Sequence, residues 1–194
     1  MKTSYELAFL KKKPCAAFYE VKQVHSNKIV ALKEIKNSPN LIKADGIFWT
    51  KEQLLPGESI AIKTADCLSV YIESSTGFYL IHAGWRGVHK NIFSKIENPV
   101  AIRILPSIKK CCFEVTSEFF EHFPGSRNFT SKDEKIFFNL ESEVVNQISQ
   151  RFPSVKFDID SRCTFCAKEK FHSFRRDKTT LRNYTLITNK KLGR

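Results

Sequence analysis

Apolar residues come first in short runs and later at wider spacing. Segments 16–24 (AAFYEVKQV), 28–33 (KIVALK), 59–65 (SIAIKTA), 68–74 (LSVYIES), 77–83 (GFYLIHA) and 100–105 (VAIRIL) are rich in β-branched and aromatic residues. They are bounded by Gly, Pro, Asn and Ser, which predicts strands through the first half of the chain. In 139–152 the residues Leu140, Val144, Val145, Ile148 and Phe152 share one face and Pro153 ends the run, which predicts a helix. A second helix is expected over 113–123 (FEVTSEFFEHF), then strands at 155–160 (VKFDID) and 184–188 (YTLIT), with a polar segment up to about residue 180 between them. The pattern defines an α/β or α+β class, a mixed-sheet core flanked by helices. There is no internal repeat and no low-complexity tract.

Composition bounds this picture. A chain of 194 residues with 42% hydrophobic content closes one sizeable core, and no Pro-, Gly- or Ser-rich linker divides it, so a single domain over 1–194 is expected. The first residues lack the order of charge, apolar run and small-residue cleavage site that marks a secretory signal. No apolar run approaches the roughly 20 residues needed to span a bilayer. The expectation is a soluble, cytoplasmic protein without a membrane partner.

Charge and cysteine content change the picture less. The formal charge is +12, most of it lysine scattered along the chain. Such a balance suits weak association with polyanions or simply a solvated lysine-rich surface, and no RNA-binding aromatic signature or zinc-finger spacing accompanies it, so no specific nucleic-acid partner is expected. Six cysteines in a chain with an ample core need not form a disulfide framework; free thiols or metal ligands are expected.

Candidate chemistry sits where polar residues interrupt the strands. QVHSN puts His25 at a strand end, TADCLSV puts Asp66 and Cys67 between two apolar runs, and IHAGWRG puts His82 at the end of another. His, Cys and His together suit zinc, and three protein ligands leave a fourth position for water or substrate, as in catalytic sites. A lone strand-end histidine is more often a hydrogen-bonded structural residue, the three together read equally either way, and with the positions 42 and 15 apart spacing does not decide.

The segments QVHSN, ADGIFWT, TADC, HAGWRG, CCFEV and CTFC followed by FHSFRRD occur in the order found in the laccase-domain family. These are the multicopper-polyphenol-oxidase-type proteins regarded as purine nucleoside phosphorylases, including peptidoglycan-editing-factor-like members. The resemblance runs from about residue 20 to 187. It implies an α/β fold related to cysteine-hydrolase-like toxin domains, a zinc or copper ion, and purine nucleosides and phosphate as partners. The implied reaction is phosphorolysis, of methylthioadenosine too, with adenosine deamination as a second activity. Carried over by motif, the metal ligands are His25, Cys67 and His82.

Further roles follow from the same segments. Arg86, Arg175 and Arg176 offer guanidinium donors for phosphate, although FRRD reads as well as an exposed element with an internal Arg–Asp pair. Asp45, Asp66 and Gln23 are candidates for orienting imidazole groups, moving protons or touching substrate, while Asp45-Gly46 also reads as a plain turn. Trp85 is either a stacking lid or a core aromatic. Cys163 and Cys166 form a C-x-x-C, but the adjacent Cys111 and Cys112 have the wrong spacing to complete a zinc site, and buried thiols are expected.

Three other readings compete with the phosphorylase. One is a thiol hydrolase acting in peptidoglycan precursor editing, with Cys67 as nucleophile and His82 as base. Another is a copper-dependent phenol oxidase, against which five histidines count. The last is a non-catalytic binding protein. The chain also departs from the family pattern: Leu105, Lys109 and Leu181 stand where glycines are usual, and Ser69 stands near a usual proline. The first three are expected to narrow the substrate cavity and add one positive charge.

Overall fold

The structure, a computed structural model, describes residues 5–190. Strands β1 (Tyr5–Leu10), β2 (Ile29–Ala31), β3 (Gly46–Trp49), β4 (Ser59–Thr64), β5 (Leu68–Ser74), β6 (Phe78–Ala83) and β7 (Pro99–Ile104) occupy the first half. Strands β8 (Glu114–Val115), β9 (Phe129–Lys132), β10 (Lys135–Phe138), β11 (Lys156–Ile159) and β12 (Asn183–Asn189) follow. The α-helices are short: α1 (Leu32–Asn37), α2 (Trp85–His89), α3 (Leu140–Arg151) and α4 (Phe174–Asp177).

The centre is a six-stranded mixed sheet in the order β11-β7-β5-β6-β3-β2. Its two outer pairs run parallel and its inner pairs antiparallel. A three-stranded antiparallel sheet, β1-β12-β4, and a small one, β8-β10-β9, complete the strands. The class is the mixed α/β arrangement expected from the sequence.

Strand periodicity explains where the core lies. Val70, Ile72, Tyr79, Ile81 and Ala83 face one apolar cluster, and their neighbours Tyr71 and Leu80, with Ile47 and Trp49, face another. β5 and β6 are therefore buried on both faces, which is why they read as near-continuous apolar runs rather than as alternation. Helix α3 closes the first cluster with Leu140, Val144 and Ile148, one turn apart, while Val145 and Phe152 pack partly buried beside them. Asn139 caps it by accepting the Ser142 N–H at 3.1 Å.

Three expected elements differ. The strand expected over 28–33 stops at Ala31, and Leu32 and Lys33 already belong to α1, whose first turn Glu34 caps by accepting the Ala31 N–H at 3.0 Å. Residues 16–24 form no strand: the segment touches β4 at Tyr19–Ile60 and then the chain before β3 at Lys22–Lys43, so it crosses between two sheets and keeps a ladder with neither. Residues 113–123 are not an α-helix either. Glu114 and Val115 pair with β10, and only Ser117–His122 winds, as a 3-10 turn that seats Phe119 among Phe113, Phe129 and Phe138. No helix among the described residues is long and apolar enough to cross a membrane.

Candidate metal site in the sheet-end cleft

The antiparallel ladders carry three chemical groups to one end of the large sheet. Asp45 stands opposite His82, one step beyond the Gly46–Ile81 pair, and the His82 N–H donates to the Asp45 carbonyl at 2.7 Å. Cys67 and Gly84 similarly follow the Leu68–Ala83 pair of β5 and β6. A Cβ on Gly84 would lie 3.1 Å from the His25 ring and 3.2 Å from the Cys67 sulfur. The glycine therefore makes room for the donors, and it is the single residue between β6 and α2. Gly87 does the same one turn later, where a Cβ would meet the Ser26 carbonyl at 2.8 Å.

His25 arrives from a loop. Its backbone is left-handed, with φ of 57°, and that of Asp66 has φ of 90°, two conformations that L-residues rarely hold without support. The support for His25 is Asp45, which is fully buried. Its carboxylate accepts the N–H groups of Val24 (3.2 Å), His25 (2.9 Å) and Ser26 (2.6 Å), and the Ser26 hydroxyl at 2.8 Å. It also meets His82 Nδ1 at 2.8 Å. One carboxylate thus shapes the loop that presents His25 and orients the ring of His82, leaving Nε2 of His82 for the site.

The result is a compact donor set. One ligand atom from each of His25, Cys67 and His82 lies within 4.8 Å of the others, and the two rings are edge-on with centroids 4.8 Å apart. Burial opposes ionisation of Cys67, but the charge on His82 and hydrogen bonds from both histidines outweigh it and bring the thiol down to about 6. Burial likewise opposes a charged His82; the Cys67 thiolate and the Asp45 hydrogen bond prevail and raise it to about 9. Asp45 goes down to about 2, burial being overcome by His82 and the Ser26 donors. A thiolate beside two imidazoles, one oriented by a carboxylate, is a donor set that fits zinc.

The donors open into a cleft of about 730 Å³. Lys22, Lys63 and Arg182 bring positive charge to its walls, and Leu41, Phe174 and Tyr184 bring apolar surface. Leu41 and Phe174 are more than half exposed and give the mouth of the cleft an apolar rim.

Of the other predicted residues only Gln23 reaches this cleft. Its amide bonds both backbone groups of Lys63, at 2.7 and 2.9 Å. Asp66 points elsewhere: its oxygens accept the hydroxyls of Thr164 (2.7 Å) and Ser173 (3.0 Å) and the Arg175 N–H (2.7 Å). Arg86 is exposed on α2, stacked over Trp85 at 4.3 Å, and does not line the cleft. Trp85 packs against Phe119 and His122.

The two arginines of FRRD hold the fold. Arg176 donates to the carbonyls of Thr164, Phe165 and Phe171 and pairs with Asp177 at 2.7 Å, the internal Arg–Asp pair that the sequence allowed. Arg175 donates to the Glu114 carbonyl at 2.6 Å and lies over the Phe113 ring. Neither lines the cleft. Lys22, Phe174, Arg182 and Tyr184 were missed by sequence reasoning, because nothing local distinguishes them from surface residues until β4 and β12 pair.

The departures from the family pattern also lie outside the cleft. Leu105 packs at the edge of the second apolar cluster, Lys109 forms an ion pair with Glu141, and Leu181 points to solvent. The expected narrowing of the cavity and added charge are therefore not found among its lining residues.

This fold and site define a protein of the laccase-like class. The chain belongs to the family described as multi-copper polyphenol oxidoreductase laccase, which matches residues 6–190. It is 33% identical over 174 residues to a protein of Aquifex aeolicus named purine nucleoside phosphorylase, covering 85% of this chain and 79% of the relative. A Clostridium acetobutylicum protein of the same name is 31% identical over 190 residues, covering 88% and 76%. Among solved structures, a Neisseria meningitidis protein shares the fold with a TM-score of 0.75 at 24% identity, over 90% of this chain and 75% of its own.

Proposed function

We propose that this chain is a zinc-dependent purine nucleoside phosphorylase, with deamination of adenosine as a second activity. The observation that carries the reading is the convergence of His25, Cys67 and His82 at a cleft walled by cations and exposed apolar side chains. The names of the relatives support the substrate class.

In this reading His25, Cys67 and His82 hold zinc, which supplies Lewis-acid charge to a substrate oxygen or nitrogen. Asp45 keeps His82 in the tautomer that ligates through Nε2. Lys22 meets the phosphate dianion; Lys63 is already paired with Glu20 at 2.5 Å, and Nη1 of Arg182 already donates to the Thr179 and Leu181 carbonyls at 2.9 and 2.8 Å. Phe174 and Leu41 cover the flat purine and exclude water from the sugar, so that phosphate rather than water reaches it.

A second reading draws support from the same geometry. Cys67, His82 and Asp45 also form a thiol, imidazole and carboxylate series, with the thiol brought down to about 6, as a cysteine hydrolase acting on cell-wall precursors would need. One experiment separates the two: metal content of the purified protein, with base release from adenosine, inosine and methylthioadenosine measured with and without phosphate, before and after chelation. Phosphate-dependent release lost on chelation and restored by zinc is expected. Turnover that survives complete removal of metal would transfer the site to the hydrolase reading.

A further inference from the structure

The four cysteines outside the cleft form a second cluster. Cys111 and Cys112 follow β7, and Cys163 and Cys166 lie in the loop after β11, so the two pairs are far apart in sequence. Even so, all four sulfurs lie within 4.8 Å of one another. The expectation of buried thiols holds for Cys163 and fails for Cys111 and Cys166, which are exposed, with their sulfurs 3.9 Å apart.

The spacing is that of a coordination shell. Cys111 and Cys166 are 3.9 Å apart, Cys111 and Cys112 3.5 Å, and Cys112 and Cys166 3.3 Å. A tetrahedral ion with metal–sulfur bonds of about 2.3 Å spaces its ligands by about 3.8 Å, whereas a disulfide needs about 2 Å. The Lys109 N–H points at the Cys163 sulfur at 3.5 Å, the kind of backbone donor that steadies a ligating thiolate. Cys111 shares a surface cleft with Lys110 and Lys132, cations that suit the net negative charge of four thiolates around a divalent ion, and with Asp133 and a Lys135 already paired with Glu114 at 3.0 Å.

We propose that Cys111, Cys112, Cys163 and Cys166 bind one zinc ion in a closed, structural tetrathiolate site. Four protein ligands leave no position for substrate, so this ion acts on the fold. It joins two loops that also meet through an isolated Ser107–Cys163 bridge, the Thr164 N–H to Ser107 carbonyl bond at 3.0 Å and shared packing of Ile108, Phe113 and Cys163 in the first apolar cluster. The second loop carries Thr164, whose hydroxyl holds Asp66 beside Cys67, so the clamp also steadies the floor of the cleft.

The test is metal stoichiometry by native mass spectrometry on protein purified from zinc-supplemented medium under reducing conditions. Two zinc ions are expected in the wild type, one in Cys67→Ser, one in Cys111→Ser/Cys166→Ser, and none in the triple variant. Cobalt exchanged into Cys67→Ser should keep strong sulfur-to-metal charge transfer, because four of the five ligating thiolates remain. Alkylation of the native wild type covers the case of a variant that does not fold: the four thiols should react only after chelation. Fast alkylation of all four with zinc at one per chain, or an intact mass two or four daltons light without reductant, would overturn the proposal.

Discussion

The two sulfur-containing clusters differ in how the chain builds them. In the cleft, His82 and Cys67 sit at the ends of adjacent antiparallel strands, and a buried carboxylate on the neighbouring strand holds the third donor's loop. The ladder sets their positions before any ligand arrives. The thiol cluster has no such ladder: its two pairs come from loops joined by one isolated bridge, with two of the four residues exposed. Preorganisation at the first comes from the sheet; order at the second depends on what the sulfurs hold together. Three donors facing a cleft suit exchange of a ligand, and four closed on themselves suit permanence.

Ligand removal at each cluster tests this contrast with the largest effects. Cys67→Ser should strip the cleft metal and lower phosphorolysis by ~10³-fold or more, the several kcal/mol that a Lewis-acid cation supplies. Its thermal midpoint should stay within ~3 °C, because the ladder is untouched. Cys111→Ser/Cys166→Ser should show the reverse, a midpoint lower by ~5–10 °C with the cleft metal retained. Calorimetry and metal analysis on the two proteins decide it; equal loss of stability in both would mean that the cleft too is assembled by its ion.

Asp45→Asn comes next and sharpens the claim that a carboxylate preorganises the cleft. An amide offers one acceptor where Val24, His25, Ser26 and His82 now converge, and it turns an NH₂ towards donors. Zinc affinity should fall ~10–100-fold. The cost to stability should be ~2–4 kcal/mol, from buried donors left without a partner. Competition with a fluorescent chelator reads the first and denaturant unfolding the second. Unchanged zinc affinity would show that His25 and His82 hold their places without it.

How far the sequence foretold these regions follows from the same contrast. The central strands over 59–64, 68–74 and 78–83 were legible because burial on both faces leaves long apolar runs, and His82 and Cys67 stood out as polar residues at their ends, whereas His25, on a loop, was marked as a ligand only by the family resemblance. The β9–β10 hairpin was not legible. Its turn places Asp133 and Glu134 in left-handed conformations, with φ of 49° and 59°, where Asn-Gly would have been the signal. With the hairpin unseen, its partner β8 was read as the start of a helix. The thiol cluster was hidden for a related reason, since ligand spacing is informative within one loop and says little when two loops meet.

A smaller effect separates framework from cleft among the cations. Arg176→Ala removes three carbonyl contacts and should cost ~2–3 kcal/mol without altering the phosphate KM. Lys22→Ala, exposed at the cleft wall, should raise the phosphate KM several-fold and leave stability alone. Steady-state kinetics over a range of phosphate, beside thermal melts, distinguishes them. A raised phosphate KM in Arg176→Ala with an unchanged melt would return the anion site to FRRD.

The smallest effect is expected at Leu181, and it bears on whether the departures from the family pattern restrict the pocket. Its neighbours Thr180 and Arg182 line the cleft, yet Leu181 itself is 59% exposed and turned to solvent. Its N–H is bonded to the Thr179 hydroxyl at 3.0 Å, and the loop has already passed its left-handed residue at Lys178, with φ of 50°. No conformation here calls for glycine. Leu181→Gly should therefore change kcat/KM for inosine and adenosine by less than ~2-fold, since it removes no contact to the cleft. Its effect on stability should be ~0.5 kcal/mol or less, chiefly through greater freedom of the unfolded chain. A gain of ten-fold or more for any purine nucleoside would mean that this loop folds over the cleft when substrate binds, and that the leucine, turned inward there, does restrict it.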